Sequence, residues 1–359
     1  MHNASANTFD LIAARARRPE QLVMETSDTT SLTYGALFER SARAANALVA
    51  LGVKPGARVA AQVDKSTDVI VLMLACWRAG AALLPLNTAY TLAELEYFLA
   101  DAEPTLTICR PDSLQAVRAL ARKLFLPAVE SLGTALDGTF AEQIAAAPAK
   151  FETVPRSSGD LAAILYTSGT TGRSKGAMLT HKNLSSNALT LMDCWRFTSG
   201  DRLIHALPVF HAHGLFAAAN VALVSGATMT FQNRFDPDAV IAALPVATSL
   251  MGVPTLYSLG DNSRELVQQP PGWRRLIIDR CLHHQDDRCD RDRHCYRSHR
   301  DFGRQRPGSQ PSAGAQVEVE IGPPAEDGDH RSVQAAAQIV CDSGFVRIIP
   351  EVAVGRPSH

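Results

Sequence analysis

Ala162-Ala163-Ile164-Leu165-Tyr166 runs directly into Thr167-Ser168-Gly169-Thr170-Thr171-Gly172-Arg173-Ser174-Lys175-Gly176. The first five residues have the composition of a buried strand, and the stretch after them combines glycines, hydroxyls and one lysine. That is a phosphate-binding loop by chemistry. Glycines let the backbone turn and approach closely, so main-chain N–H groups and hydroxyls can surround phosphate oxygens while Lys175 supplies positive charge. It is not the Walker arrangement, because Lys175 follows Gly172 at a distance of three residues and Gly176 stands where that motif places Ser or Thr. A flexible linker can share this composition, but it has no need of a buried strand before it or a single lysine inside it.

Working outward from this loop, short apolar runs alternate with helix-period segments from about residue 30 to 275, the pattern of an α/β fold with parallel sheets flanked by helices. Ser66 or Thr67 caps a predicted helix carrying Val69, Leu72, Met73 and Trp77; Gly80 ends it, and Ala81–Leu84 is the next strand. Asn87–Thr91 is a polar connection. Beyond the loop, Leu184, Ala188, Leu191 and Trp195 recur at helical spacing, and Leu203–Ala206 is a strand leading into a loop over Leu207–Gly214. Ala227–Phe231 is another strand, Pro237–Leu244 a helix opened by Asp236, and Ser249–Val253 a further strand.

With 46% hydrophobic and 20% charged residues, the 359-residue chain can bury a large core. A net charge of -1 provides no global field toward nucleic acid or an anionic membrane, so small molecules are the expected partners. The longest strongly apolar stretch, Val69–Trp77, is too short to span a membrane, and Met1–Asp10 has neither a basic start nor an apolar run. A cytoplasmic location is expected. Cys76, Cys109 and Cys194 are widely spaced, as reduced thiols are.

The stretch Tyr166–Gly176 resembles the signature loop of the adenylate-forming acyl-CoA synthetase superfamily, and the resemblance runs over Phe9–Ile278. It implies that Thr167, Ser168, Gly169, Thr170, Thr171, Gly172 and Lys175 contact the ATP phosphates. Leu207-Pro208-Val209-Phe210-His211-Ala212-His213-Gly214 resembles the motif that lines the acyl pocket, which makes His211 a substrate and catalytic candidate beside Lys175. Gly252-Val253-Pro254-Thr255 is similar to a segment beside the pocket and adenine. Leu84–Thr91, Trp195-Arg196-Phe197, Ile204–Pro208 and Phe235-Asp236-Pro237-Asp238 look particularly like the malonyl-CoA synthetases.

The resemblance implies an acid–thiol ligase: a carboxylate attacks the ATP α-phosphate to give an acyl-adenylate, which coenzyme A then converts to the thioester, with Mg²⁺ required for the first half. Malonate's second carboxylate stays ionised, so a closed pocket needs a cation, best a guanidinium with two donors. Arg275 and Arg234 are the candidates. Ala212 stands where related enzymes often place threonine, which leaves pocket size open.

After Arg275 the expected Tyr-Gly-x-Thr-Glu, Thr-Gly-Asp, hinge and late-lysine motifs do not occur. Residues 279–301 hold six Arg, six Asp, four His and three Cys with almost no large apolar groups. Two parts are therefore expected: residues 1–278, an incomplete AMP-binding N-terminal domain, and residues 279–359, a charged, Cys/His-rich and poorly ordered tail, as a truncation or shifted frame would give. The spacing of Cys281, His283, His284, Cys289, His294, Cys295 and His299 fits no common zinc site, and no metal ligand is assigned. Two alternatives stay open: a remnant that at most binds ATP, and a synthetase for another short acid.

Overall fold

Residues 69–77 are apolar on every face, so a helix there must be enclosed on all sides. In the computed structural model this helix is buried within the largest core of the described residues. The structure describes residues 5–16, 18–26, 31–135, 137–167 and 174–252, with Thr167 and the strands at 275–278, 316–317, 336–342 and 345–351 described by backbone alone.

In chain order come α1 (Thr8–Arg15), β1 (Leu22–Thr26), β2 (Ser31–Thr33), α2 (Tyr34–Ala50), β3 (Arg58–Gln62) and the buried helix α3 (Thr67–Arg78). Then β4 (Ala82–Pro85), α4 (Leu92–Ala102), β5 (Leu106–Cys109), α5 (Leu114–Lys123), β6 (Ala128–Ser131) and α6 (Thr139–Ala146) alternate. They are followed by β7 (Leu161–Thr167), β8 (Lys175–Thr180), α7 (His181–Cys194) and β9 (Arg202–His205). A π-helix at His213–Ala219 continues into α8 (Asn220–Ser225), and β10 (Thr228–Phe231), α9 (Pro237–Ala243), β11 (Ser249–Gly252) and β12 (Arg275–Ile278) complete the series.

Two six-stranded sheets result, one in the order β12-β11-β9-β10-β1-β2 and the other β6-β5-β3-β4-β7-β8. All neighbours are parallel except the edge strands β2 and β8. Each strand sends alternate residues to opposite faces. Val59 and Ala61 face the core shared by both sheets, whereas Ala60 faces α4 and α5; Leu203 faces the shared core, whereas Ile204 faces α9. The shared core also takes in α2, α3, α7 and α8, which gives layers of helix, sheet, helix, sheet and helix.

Helix α3 begins where the sequence predicts: Ser66 Oγ accepts from the Asp68 N–H, and every residue from Asp68 to Arg78 is buried. Gly80 takes φ +73°, a conformation glycine adopts without cost after a helix end. The charges at the two ends of α3 have partners. Asp68 pairs with Arg40 of α2. The Arg78 guanidinium donates to the Phe38 and Phe151 carbonyls at 2.8 and 2.7 Å and covers the Phe9 ring, and burial pulls its pKa down to about 10.

The structure corrects the sequence reading in two places. Lys175 and Gly176 are strand residues of β8 rather than loop, paired with Thr167 and Tyr166 of β7. This edge strand is half-buried and lacks the alternation that marks a strand in sequence. His213 and Gly214 belong to the π-helix, so the loop after β9 is shorter than Leu207–Gly214. Within 279–359, β13 (Gln316–Val317), β14 (Ala336–Asp342) and β15 (Phe345–Glu351) pair antiparallel; the Cys/His cluster of that segment lies outside the described residues. Among the described residues no helix is long and apolar enough to cross a membrane.

Two buried histidines couple this fold to pH. His181 accepts the Thr8 N–H on Nδ1 at 3.1 Å, and burial lowers its pKa to about 4; burial lowers that of His205 to about 3. The unfolded chain takes up these protons near pH 6.5 and the folded chain does not, so the stability they allow is complete above that pH and lost as pH falls. Thermal unfolding should therefore occur at lower temperature at pH 5 than at pH 7, each histidine contributing about 1.4 kcal/mol per pH unit within its window. His181→Gln should flatten part of that slope.

Candidate nucleotide and acid site

The predicted phosphate loop connects β7 to β8, with Thr167 and Lys175 directly opposite one another at its base. Ser168, Gly169, Thr170, Thr171 and Gly172 lie outside the described residues, as does the side chain of Thr167. Lys175 is half-buried at the first position of β8.

Helix α4 braces this base, a contact the sequence reading does not contain. Tyr97 Oη donates to the Ser174 carbonyl at 2.8 Å, and Tyr166 donates to the Asp101 carboxylate. The Phe98 ring lies 4.6 Å from Tyr166 and 4.7 Å from Tyr90. The only local signal in the sequence is Tyr97-Phe98 with Asp101 four residues after Tyr97, a spacing that puts Tyr97 and Asp101 on one helix face.

The second part of the candidate site lies at the carboxyl ends of the β9, β10 and β11 strands, the edge where open α/β sheets hold ligands. From β9 the chain enters the His211 segment. His211 is exposed, its ring 4.5 Å from that of Phe210, and partial desolvation lowers its pKa, which favours the neutral imidazole. Arg234 is exposed in the bend after β10, at the same edge. Arg275 is not brought there: it opposes Ser249 at the amino end of β12, three residues before Ile278, about 10 Å along the strand. Its side chain, and Val253, Pro254 and Thr255, lie outside the described residues.

The His211 segment is fastened at its two ends. The buried His205 ring sits on Phe231 at 5.0 Å, and its Nε2 bonds to the Gly214 carbonyl at 2.8 Å, which fixes the proton on that nitrogen. Gly214 also has to be glycine, because a Cβ there would collide with the Pro208 carbonyl. Among the described residues no group of three or more His, Cys, Asp or Glu is placed to hold a metal.

A family model described as AMP-binding enzyme matches residues 11–277. The chain belongs to the AMP-binding enzyme family. It is 36% identical to feruloyl-CoA synthase of Amycolatopsis sp over 264 residues, 72% of this chain and 50% of that protein. With the mitochondrial malonate–CoA ligase of Mus musculus it shares 33% identity over 236 residues, 63% of this chain and 40% of that protein. The structure of ATP-bound MatB from Rhodopseudomonas palustris superposes with a TM-score of 0.72 at 47% identity, covering 77% of this chain and 55% of that one. As an AMP-binding enzyme, then, the chain spans about half the length of the curated relatives it matches.

Gly214→Ala tests the packing of the His211 segment. The added methyl forces the segment off the Pro208 carbonyl and should cost about 1–3 kcal/mol of stability, the range for overpacking. Denaturant unfolding reads this directly, and an unchanged midpoint would contradict the packing.

Proposed function

We propose that the protein is an ATP-dependent acid–CoA ligase, activating a short carboxylic acid, with malonate the preferred candidate. The observation that carries the reading is the Tyr166–Gly176 stretch, set across β7 and β8 with Lys175 at its base, within a match to the AMP-binding family. In this reading Thr167, Ser168, Gly169, Thr170, Thr171 and Gly172 surround the outer phosphates, and Lys175 neutralises charge on the departing pyrophosphate. Residues 1–278 form the body that carries the site.

Chemically, a carboxylate oxygen of the acid bonds to the ATP α-phosphorus while the bond to pyrophosphate breaks, leaving an acyl-adenylate. The coenzyme A thiolate then attacks the acyl carbon and AMP departs. The protein's task in the first half is alignment of two anions for in-line displacement. His211, neutral and beside the aromatic Phe210, borders the acid; Arg234, at the same strand edge, is the proposed partner of a second carboxylate, a role that the position of Arg275 at the amino end of β12 does not favour. Mg²⁺ is expected to accompany ATP, and no residue is assigned to it.

Support for malonate comes from the likeness to a malonate–CoA ligase and to the residue runs at Leu84–Thr91 and Phe235–Asp238. A different acid is the second reading, favoured by the match to feruloyl-CoA synthase over a larger share of the chain. A panel of malonate, methylmalonate, acetate and longer acids separates them, because only a dicarboxylate should depend on a guanidinium.

Lys175→Ala should weaken ATP binding by about tenfold or more, the loss of a charge-assisted contact, with little change in melting temperature. Equal ATP affinity by calorimetry would count against the role. Arg234→Ala should weaken malonate binding and leave acetate unaffected if Arg234 holds the second carboxylate.

A further inference from the structure

The loop after β3 carries Lys65, which reaches from one sheet to the other. Its ammonium donates to the His205 carbonyl at 2.8 Å and stands 4.6 Å from the centre of the Phe231 ring. His205 is the last residue of β9, and Phe231 the last of β10. The Gln232 N–H, at 3.2 Å, takes the other lone pair of the same carbonyl. A half-buried cation thus lies where the carboxyl ends of the two sheets meet, satisfied by a carbonyl and an aromatic face.

The same His205 fastens the far end of the segment that follows it. Its imidazole lies against Phe231 and bonds to the Gly214 carbonyl, so one residue is held through its carbonyl by Lys65 and through its ring to Gly214. His211 hangs between these two points, and its carbonyl accepts the Leu215 N–H at 3.0 Å as the π-helix starts. Burial pushes the Lys65 ammonium well below the ordinary lysine range, as expected of a group held against the interior.

We infer that Lys65 is a positioning residue for the acid-binding segment, clamping the His205 carbonyl against Phe231 and so holding residues 206–213, with His211, at the edge where the two sheets meet. The inference rests on the reading of that segment as the acid pocket. Lys65 does not itself touch the acid. Its effect is to keep the pocket wall in one arrangement before the acid arrives, which lowers the ordering cost of binding.

The experiment is amide hydrogen exchange on the full chain, alongside equilibrium binding of malonate and of ATP. Lys65→Met keeps the aliphatic reach and removes the donor. It should speed exchange across 206–215 by about tenfold or more, the change that loss of a charge-assisted hydrogen bond gives, while amides of β3, β4 and β5 stay as in wild type. Malonate affinity should fall by a similar factor with ATP affinity unchanged, and Lys65→Arg should restore both. If Lys65→Met does not fold, Lys65→Gln carries the same test, because it stays polar and falls short of the His205 carbonyl. Wild-type exchange across 206–215 in the variant, or parallel losses of malonate and ATP affinity, would overturn the inference. The wild-type chain separates this from failure of the underlying reading: if malonate with ATP gives no protection at 206–213, the segment is not the acid pocket.

Discussion

A helix with no polar face must be enclosed, and α3 is such a helix: eleven consecutive residues from Asp68 to Arg78 are buried. One sheet covers only one side of a helix, so burying α3 requires material on the other side, and the second sheet with α8 and the π-helix supplies it. Trp77 shows how tightly this is built. Its indole N–H donates to the Ala162 carbonyl of β7 at 3.1 Å, and its ring stacks on Phe216 of the π-helix at 6.5 Å. A single side chain thus joins β7, the strand before the proposed phosphate loop, to the helix after the His211 segment.

That enclosure sets where chemistry can occur. With the sheets held about α3, the ends of β3 and β9 come close enough for Lys65 to bridge them. Loops from parallel strands leave at the carboxyl edge, free of the ladder and able to carry polar groups. The β7–β8 connection is different, since it joins antiparallel strands at a sheet edge, braced from α4 by Tyr97, which bonds to the Ser174 carbonyl, and by Phe98, which packs on Tyr166 of β7. Two anions, a triphosphate and a carboxylate, would thereby meet groups fixed by separate scaffolds, and their alignment would depend on how rigidly those scaffolds are joined.

Much of this was legible in the residues. Ser66, the apolar run after it and Gly80 specify α3 and its ends, and Asp236-Pro237 specifies the start of α9, whose carboxylate accepts from the Asp238 and Ala239 N–H groups. Apolar runs at 162–166, 203–206 and 227–231 are strands because both faces of their sheets are covered, which removes any need for alternation. β8 was hidden for the opposite reason: a half-buried edge strand containing Gly176 has no strong pattern. The proposed phosphate loop and the His211 segment stood out in the sequence by their residue types. Their supports were not, because Tyr97 and Ser174 are 77 residues apart, and Lys65 and His205 are 140 apart. Such contacts follow from the packing of the sheets, which no local window of sequence contains.

The central proposal is that this chain binds ATP and joins a carboxylic acid to it. Acid-dependent exchange of labelled pyrophosphate into ATP tests that step alone, without requiring thioester formation. The account predicts label in ATP only when protein, ATP and an acid such as malonate are all present. ATP binding with no acid-dependent exchange, for any acid in the panel, would contradict it and leave a nucleotide-binding remnant.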